Sequence, residues 1–200
     1  MILEIFGVLF GCFYLALEIM QKKGMWVVGL LMAAVYAVVF FQQAVYASMG
    51  FQIYYIVVSI YGFLQWRKDK QQVGEIASIQ TQTESQQNKI CYRTLPVRVF
   101  LWSAVIYAAA TAFMVLVLGR LTDDPMPWAD SSITVLSAIA TFWLSKSYKE
   151  QWLIWLAVNL LTVTMALRLQ MYPTAILYTI NSAASLYGYI HWLKKGTRIA

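Results

Sequence analysis

Hydrophobic residues run along this chain in long unbroken stretches separated by short polar ones. The stretches cover roughly 3 to 20, 26 to 42, 48 to 66, 98 to 119, 130 to 146, 152 to 168 and 173 to 193. Each is close to the about 17–25 residues that a helix needs to cross the hydrocarbon core of a bilayer. Tilted barrel strands would alternate polar and apolar residues with period two, and these stretches do not. The pattern predicts an all-α membrane protein with seven transmembrane helices. Pro96, Pro125, Pro127 and Pro173 all fall at predicted helix boundaries, where a proline does not break a helix. Gly7 and Gly11 form a G-x-x-x-G pattern in the first stretch, which predicts close helix packing.

A second regularity lies at longer range. Moved forward by 126 positions, the first part of the chain lands on its last part without a gap: Trp26 on Trp152, Tyr46 on Tyr172, Ser59 on Ser185, Tyr61-Gly62 on Tyr187-Gly188, Trp66 on Trp192 and Lys68 on Lys194. Tryptophan makes up only 8 of 200 residues, so two Trp–Trp matches in one register point to duplication. Each copy carries three helices, one within residues 1–66 and the other within 130–193. The helix 98–119 has no counterpart and restores the direction of the second copy. The organisation predicted is 3+1+3, two parallel repeats related by an axis along the membrane normal, and transporters of this design bind substrate near the midplane between the halves. The intervening segment 67–97 is rich in Gln, Ser and Thr and poor in apolar residues, which predicts a flexible cytoplasmic linker.

Composition agrees with the membrane reading. Hydrophobic residues are 60% of the chain, charged residues 12%, and the mean hydropathy is +0.61, outside the range of soluble domains. Lys22, Lys23, Arg67, Lys68, Lys70, Lys89, Arg93, Arg98, Lys146, Lys149, Lys194, Lys195 and Arg198 fall on one side of the predicted membrane, and only Arg120 and Arg168 on the other. Basic residues stay on the cytoplasmic side during insertion, so the N-terminus is expected outside and the C-terminus in the cytoplasm. The net charge of +6 is thereby a topological signal and implies no nucleic-acid partner. On the outer side, Glu4, Asp123, Asp124 and Asp130 outnumber the two arginines and mildly favour a cation. The first stretch lacks a basic leader and a small-residue cleavage site, and Lys22-Lys23 follow it, so it reads as a retained helix. Cys12 falls in a helix and Cys91 in the cytoplasmic segment, which predicts no disulfide.

Charge inside a bilayer costs at least about 2.5–3.5 kcal/mol per group and therefore marks function where it occurs. The middle thirds of these helices contain none. Glu18 lies one turn before Lys22 and suits an i,i+4 pair, while Arg168 and His191 fall at helix ends. Without a buried acid or histidine to couple a proton, the chain suits uncoupled, facilitated movement of a solute. Without a basic side chain at depth, it does not suit a phosphorylated one. It carries no H-E-x-x-H, no paired membrane aspartates and no G-x-S-x-G, so neither catalytic residues, a metal nor a cofactor is expected, and the chain does not read as an enzyme.

The helices do offer aromatic faces with neutral amides and hydroxyls. Trp152, Trp155 and Asn159 share one face of the sixth helix, Tyr178, Asn181 and Ser185 one face of the seventh, and Gln52, Tyr55 and Ser59 one face of the third. Such faces suit a planar, cationic heterocycle held by stacking and cation–π contact, about 0.5–2 kcal/mol per site, with carboxamides reading its polar edges. The competing reading of the Asn and Ser residues is as hydrogen-bonded glue between helices. Trp66 and Trp192, beside basic residues at helix ends, read as interfacial anchors.

With W-L-I-W-L-A-V-N at 152–159, Y-G-F-L-Q-W at 61–66 and F-F-Q-Q-A-V-Y-A at 40–47, the chain resembles the PnuC family of bacterial vitamin transporters over nearly its whole membrane portion. A further point of likeness is the aspartate that follows a Pro-rich loop, Pro125 to Asp130. The resemblance implies a 3+1+3 fold related to that of the sugar-transporting SWEETs and a place in the bacterial inner membrane. It also implies facilitated diffusion of nicotinamide riboside and trapping by a cytosolic kinase. It assigns the W-x-x-x-N pair, here Trp155 and Asn159, to the substrate site, together with Gln52. The chain departs from the nicotinamide riboside members at Met32-Ala33-Ala34 and at Ser59, where they commonly carry asparagines. Thiamine, another cationic aromatic, is thus the alternative cargo. A receptor that binds without transporting shares the same residue chemistry, and self-association is left open.

Overall fold

The computed structural model describes residues 13–42, 46–80, 90–121 and 125–199, without the side chains of 39, 40, 46–48, 73–80 and 121. The described part of α1 spans 13–19. It is followed by α2 Gly24–Gln42, α3 Tyr46–Gln80, β1 Ile90–Tyr92, α4 Val97–Leu121, α5 Pro127–Ser145, α6 Gln151–Arg168, α7 Tyr172–Lys195 and β2 Gly196–Arg198. Each predicted stretch thus carries one helix. Gly7, Gly11 and Cys12 lie outside the described residues, and Cys91 is buried and in no disulfide among the described residues. Among the described helices, Val97–Arg120 and Gln151–Arg168 are by themselves long and apolar enough to cross a membrane, and Gly24–Val38 is a shorter apolar segment.

The chain forms two compact units. The first holds α1, α2, α3, both strands and the turn Ser145–Ser147; the second holds α4 to α7. Both bury small and polar side chains together with Trp26, Trp66, Trp152 and Trp192, and expose many large aliphatic ones. On α7, Ala175, Ser182, Ser185, Gly188 and Trp192 are buried, while Ile176, Ile180 and Ile190 are exposed. On α3, Ser59, Gly62 and Trp66 are buried, while Ile53, Val57, Ile60 and Leu64 are exposed. This inverts the habit of water-soluble helices, whose large apolar side chains turn inward. It suits hydrocarbon as the surrounding medium, where small residues let helices approach and no penalty attaches to an exposed leucine.

The same contact holds each unit together. In the first, Trp26 of α2 lies flat against Gly62 of α3, and a Cβ added at Gly62 would come within 2.5 Å of the indole. Trp66 meets Trp26 edge-on, with ring centroids 5.2 Å apart and planes at 77°. In the second, Trp152 of α6 lies against Gly188 of α7, where an added Cβ would come within 2.8 Å. Trp192 stands edge-on to Trp152 at 5.7 Å and 88°. Trp66 and Trp192 are therefore not interfacial anchors: both are 0% exposed. A tryptophan one turn beyond a glycine faces the same neighbouring helix as that glycine, and here it closes over the indole that fills the gap.

Segment 67–97 departs from the expected flexible linker. α3 continues to Gln80, making 35 residues, or about 52 Å at 1.5 Å per residue. That is well beyond the roughly 30 Å of a hydrocarbon core. The residues after Trp66 include Arg, Lys, Gln, Glu and Ala, all strong helix formers, and Gln65 Nε2 donates to Asp69 Oδ1 at 2.9 Å one turn on. Ile90–Tyr92 pairs in parallel with Gly196–Arg198.

These pieces meet at Gln21. Its backbone is left-handed, φ 50°, as is that of Ser147, φ 60°, at the matching place 126 residues later. Gln21 Nε2 donates to the Cys91 carbonyl at 2.7 Å, and the Cys91 N–H donates to Gln21 Oε1 at 2.6 Å. Ser147 Oγ donates to Asp69 Oδ2 at 3.0 Å, and Lys70 Nζ donates to the Gln21 carbonyl at 2.9 Å. Burial pulls the Lys70 ammonium below its usual 10.5; Cys91 opposes the shift, and Lys23 and Lys22 add to it. The folded protein thus holds this proton less tightly than the unfolded chain, so stability rises with pH between the lowered value and 10.5. Melting temperatures measured as the pH is raised towards 10.5 should show a gain in the wild type that Lys70→Met lacks.

Candidate functional site

In the second unit, the Trp152–Gly188 contact seats α6 against α7, and Asn159 lies two turns further along α6. Asn159 is 6% exposed, and its Nδ2 donates to Ser185 Oγ at 3.1 Å. Ser185 Oγ in turn donates to the Asn181 carbonyl at 2.9 Å. This relay fixes which way the carboxamide faces and leaves Asn159 Oδ1 without a partner among the described residues. One turn earlier, half-buried Trp155 has an indole N–H that likewise lacks a partner. A ring face, a free donor and an oriented amide therefore share one side of α6. Tyr178 and Asn181, both half-buried, lie on the Ser185 face of α7.

Trp152, read from the sequence as a contact on the same face as Trp155 and Asn159, is 1% exposed and packed against Gly188 and Trp192. Its role is packing, because no surface remains for a ligand.

The first unit brings its own predicted residues together around α3. Ser59 is 6% exposed, while Gln52 and Tyr55 are half-buried on the same face, and the Tyr54 and Tyr55 rings stand 5.5 Å apart at 65°. Two residues here went unnoticed in the sequence. Gly29 of α2 lies where an added Cβ would be 3.5 Å from Ser59 Oγ and 3.7 Å from the Tyr14 ring, so a tyrosine of α1 and a serine of α3 meet across a glycine of α2. Tyr14 and Gly29 lie inside apolar runs, with no periodic signal of their own. The register does carry one hint, since Gly29 matches Trp155 and Ala33 matches Asn159. The indole and carboxamide belong to the second unit alone, and small residues take their places in the first.

Residues 1–194 match the family described as nicotinamide mononucleotide transporter. The chain belongs to this family. Among the relatives of this nicotinamide mononucleotide transporter family member is the nicotinamide riboside transporter PnuC of Escherichia coli, 25% identical over 96% of this chain and 84% of the relative. The nicotinamide riboside transporter PnuC of Neisseria mucosa is 28% identical over 83% of this chain and 62% of the relative. The riboflavin/roseoflavin transporter RibM of Streptomyces davaonensis is 24% identical over 98% of this chain and 86% of the relative. The crystal structure of the vitamin B3 transporter PnuC has a similar fold, with a TM-score of 0.62 at 24% identity, covering 90% of this chain and 76% of that one.

Proposed function

We propose that this chain is a vitamin transporter that carries nicotinamide riboside across a bacterial inner membrane by facilitated diffusion. In this reading residues 1–66 and 130–193 are parallel repeats joined by the linker and the helix 98–119, with the N-terminus outside and the C-terminus in the cytoplasm. The relatives named as nicotinamide riboside transporters support the cargo. Two units that each carry a Trp–Gly–Trp contact 126 residues apart support the repeat. The observation that carries the proposal is the Trp155–Asn159 face. Trp155 offers a ring for a cationic pyridinium to stack on, and Asn159, held by Ser185, offers an oriented amide for a carboxamide or sugar hydroxyl. Gln52, Tyr55, Ser59, Tyr178 and Asn181 are further candidate contacts.

Chemistry favours the riboside over the mononucleotide in the family's description. A phosphate needs Arg, Lys or a comparable donor set, and the described residues 24–42, 46–66, 99–119, 131–145, 151–167 and 172–190 contain no Lys, Arg, Asp or Glu. In these six stretches the absence of an acid or base supports uncoupled movement, with a cytosolic kinase retaining the product as its phosphate; the buried Glu18 stands outside them, in the last turn of α1 and four residues before Lys22.

The test is uptake of radiolabelled nicotinamide riboside by proteoliposomes holding the purified protein. Saturable uptake that stops at equal concentrations and is unchanged by an imposed proton or sodium gradient supports the proposal. Accumulation above the outside concentration, driven by either gradient, rules out facilitated diffusion, and binding without uptake makes the protein a receptor.

A further inference from the structure

The hydroxyls of α6 and α7 share one habit. Thr162 Oγ1 donates to the Val158 carbonyl at 2.8 Å, Thr179 Oγ1 to the Ala175 carbonyl at 2.8 Å, Ser182 Oγ to the Tyr178 carbonyl at 2.9 Å and Ser185 Oγ to the Asn181 carbonyl at 2.9 Å. Each gives its proton to the carbonyl four residues back on its own helix, so towards any other group it can only accept. A carbonyl cannot donate, so the contact with Asn181 uses the one proton that the Ser185 hydroxyl has. A group that meets Ser185 Oγ from α6 must therefore bring its own. That group is Asn159, whose Nδ2 lies 3.1 Å away. The carboxamide is thus turned with its NH2 towards Ser185 and its Oδ1 the other way. Both residues are buried, which strengthens the bond by keeping water from competing for it. The first unit lacks this device: it keeps Ser59 at the place of Ser185 but has Ala33 at that of Asn159.

We infer that Ser185 is a positioning residue that makes Asn159 a hydrogen-bond acceptor towards the cargo, so that the site selects an aromatic carboxamide over the corresponding carboxylate. The inference rests on the functional reading above, in which the ligand's ring stacks on Trp155. Trp155 and Asn159 stand one turn apart on the same face of α6, about 5–6 Å between Cβ atoms, so a substituent at the edge of a stacked ring reaches the carboxamide. The indole N–H points out of the ring edge, away from a stacked ligand, so the substituent's partner is Asn159 rather than Trp155. A primary carboxamide brings an N–H that Asn159 Oδ1 accepts. An ionised carboxylate can only accept. Set against Oδ1, it meets a second acceptor and loses water without gaining a donor. Turning the Asn159 amide over would offer its NH2 to the carboxylate, but it would also set Oδ1 against Ser185 Oγ, whose proton is already given to Asn181. The discrimination between the two cargoes is thus held by a residue that acts through Asn159.

The experiment is calorimetric titration of the full-length purified protein at neutral pH with nicotinamide riboside and with nicotinic acid riboside, which share the cationic ring and the sugar and differ in this one group. The wild type should bind the acid at least about tenfold more weakly than the amide, as one hydrogen bond is lost and one acceptor is left facing another. Ser185→Ala frees Asn159 to turn over, so the ratio of the two affinities should fall at least about threefold, chiefly through tighter binding of the acid. Ser185→Thr keeps a hydroxyl that can bond the carbonyl four residues back and should keep the ratio. A residue that only packed α7 against α6 would weaken both ligands alike when truncated, so an unchanged ratio in Ser185→Ala would overturn the inference. Equal binding of the two ribosides by the wild type would overturn it as well, while leaving the functional reading intact. No binding of nicotinamide riboside by the wild type would remove that reading and the inference together.

Discussion

Gly62→Ala and Gly188→Ala should each destabilise the protein by about 1–3 kcal/mol, the usual cost of forcing a methyl group into a packed site. A Cβ at Gly62 would lie 2.5 Å from the Trp26 ring, and one at Gly188 would lie 2.8 Å from Trp152. Neither ring moves freely, because Trp66 and Trp192 stand edge-on to them and all four indoles are buried. The closer approach at Gly62 makes it the more sensitive site. The same substitution should have the opposite sign at Gly50 and Gly119, inside α3 and α4, where an added Cβ meets nothing within 4 Å. There, alanine should stabilise by about 0.5–1 kcal/mol through helix propensity. Thermal melting in detergent distinguishes the two cases, and Trp26→Phe should recover part of the loss caused by Gly62→Ala. If Gly62→Ala melted above the wild type, as Gly50→Ala should, the close contact would not exist.

Trp155→Ala should weaken nicotinamide riboside binding by up to about thirtyfold, corresponding to about 2 kcal/mol for a desolvated cation–π contact. Trp155→Phe keeps a ring but loses the indole donor, so its loss should be smaller. Asn159→Ala removes the amide that Ser185 orients and should cost about 1–2 kcal/mol, or roughly five- to thirtyfold in affinity, as the ligand loses a neutral hydrogen-bonding partner. Trp152→Phe provides the contrast. Fully buried against Gly188 and Trp192, Trp152 should affect the melting temperature and leave affinity nearly unchanged. A substitution at Trp152 that weakened binding as much as Trp155→Ala would place the site elsewhere on α6.

The helices were legible because a bilayer leaves few options. A run such as 98–119 satisfies its backbone groups internally as a helix, and residues as different as Ala108 and Leu116 are equally welcome on it. The duplication was legible because Trp26 and Trp152 recur in register. What Trp66 and Trp192 do was not, since a tryptophan beside lysines looks the same whether it faces headgroups or closes over another indole. The partner that decides this lies one helix away. The continuation of α3 to Gln80 was hidden by composition, because residues that fail to build a core still build a helix once Asp69 and Lys70 are tied down at its base. The β1–β2 pairing joins two three-residue segments far apart in sequence and has no local signature. In the candidate site, Trp155 and Asn159 stood out by chemistry and spacing. Ser185 emerged as the group that orients Asn159 only when α6 and α7 were set side by side, and Tyr14 beside Gly29 depends on a convergence of three helices that no single window contains.

The central claim is that an uncharged face of Trp155 and Asn159 binds the unphosphorylated vitamin. Calorimetric titration of the purified protein with nicotinamide riboside and nicotinamide mononucleotide, with thiamine and riboflavin alongside, tests it most directly. The account predicts saturable binding of the riboside and at least about tenfold weaker binding of the mononucleotide, whose phosphate would lose water without gaining a cation. Equal or tighter binding of the mononucleotide would contradict it, as would tight binding of thiamine or riboflavin with none of the riboside.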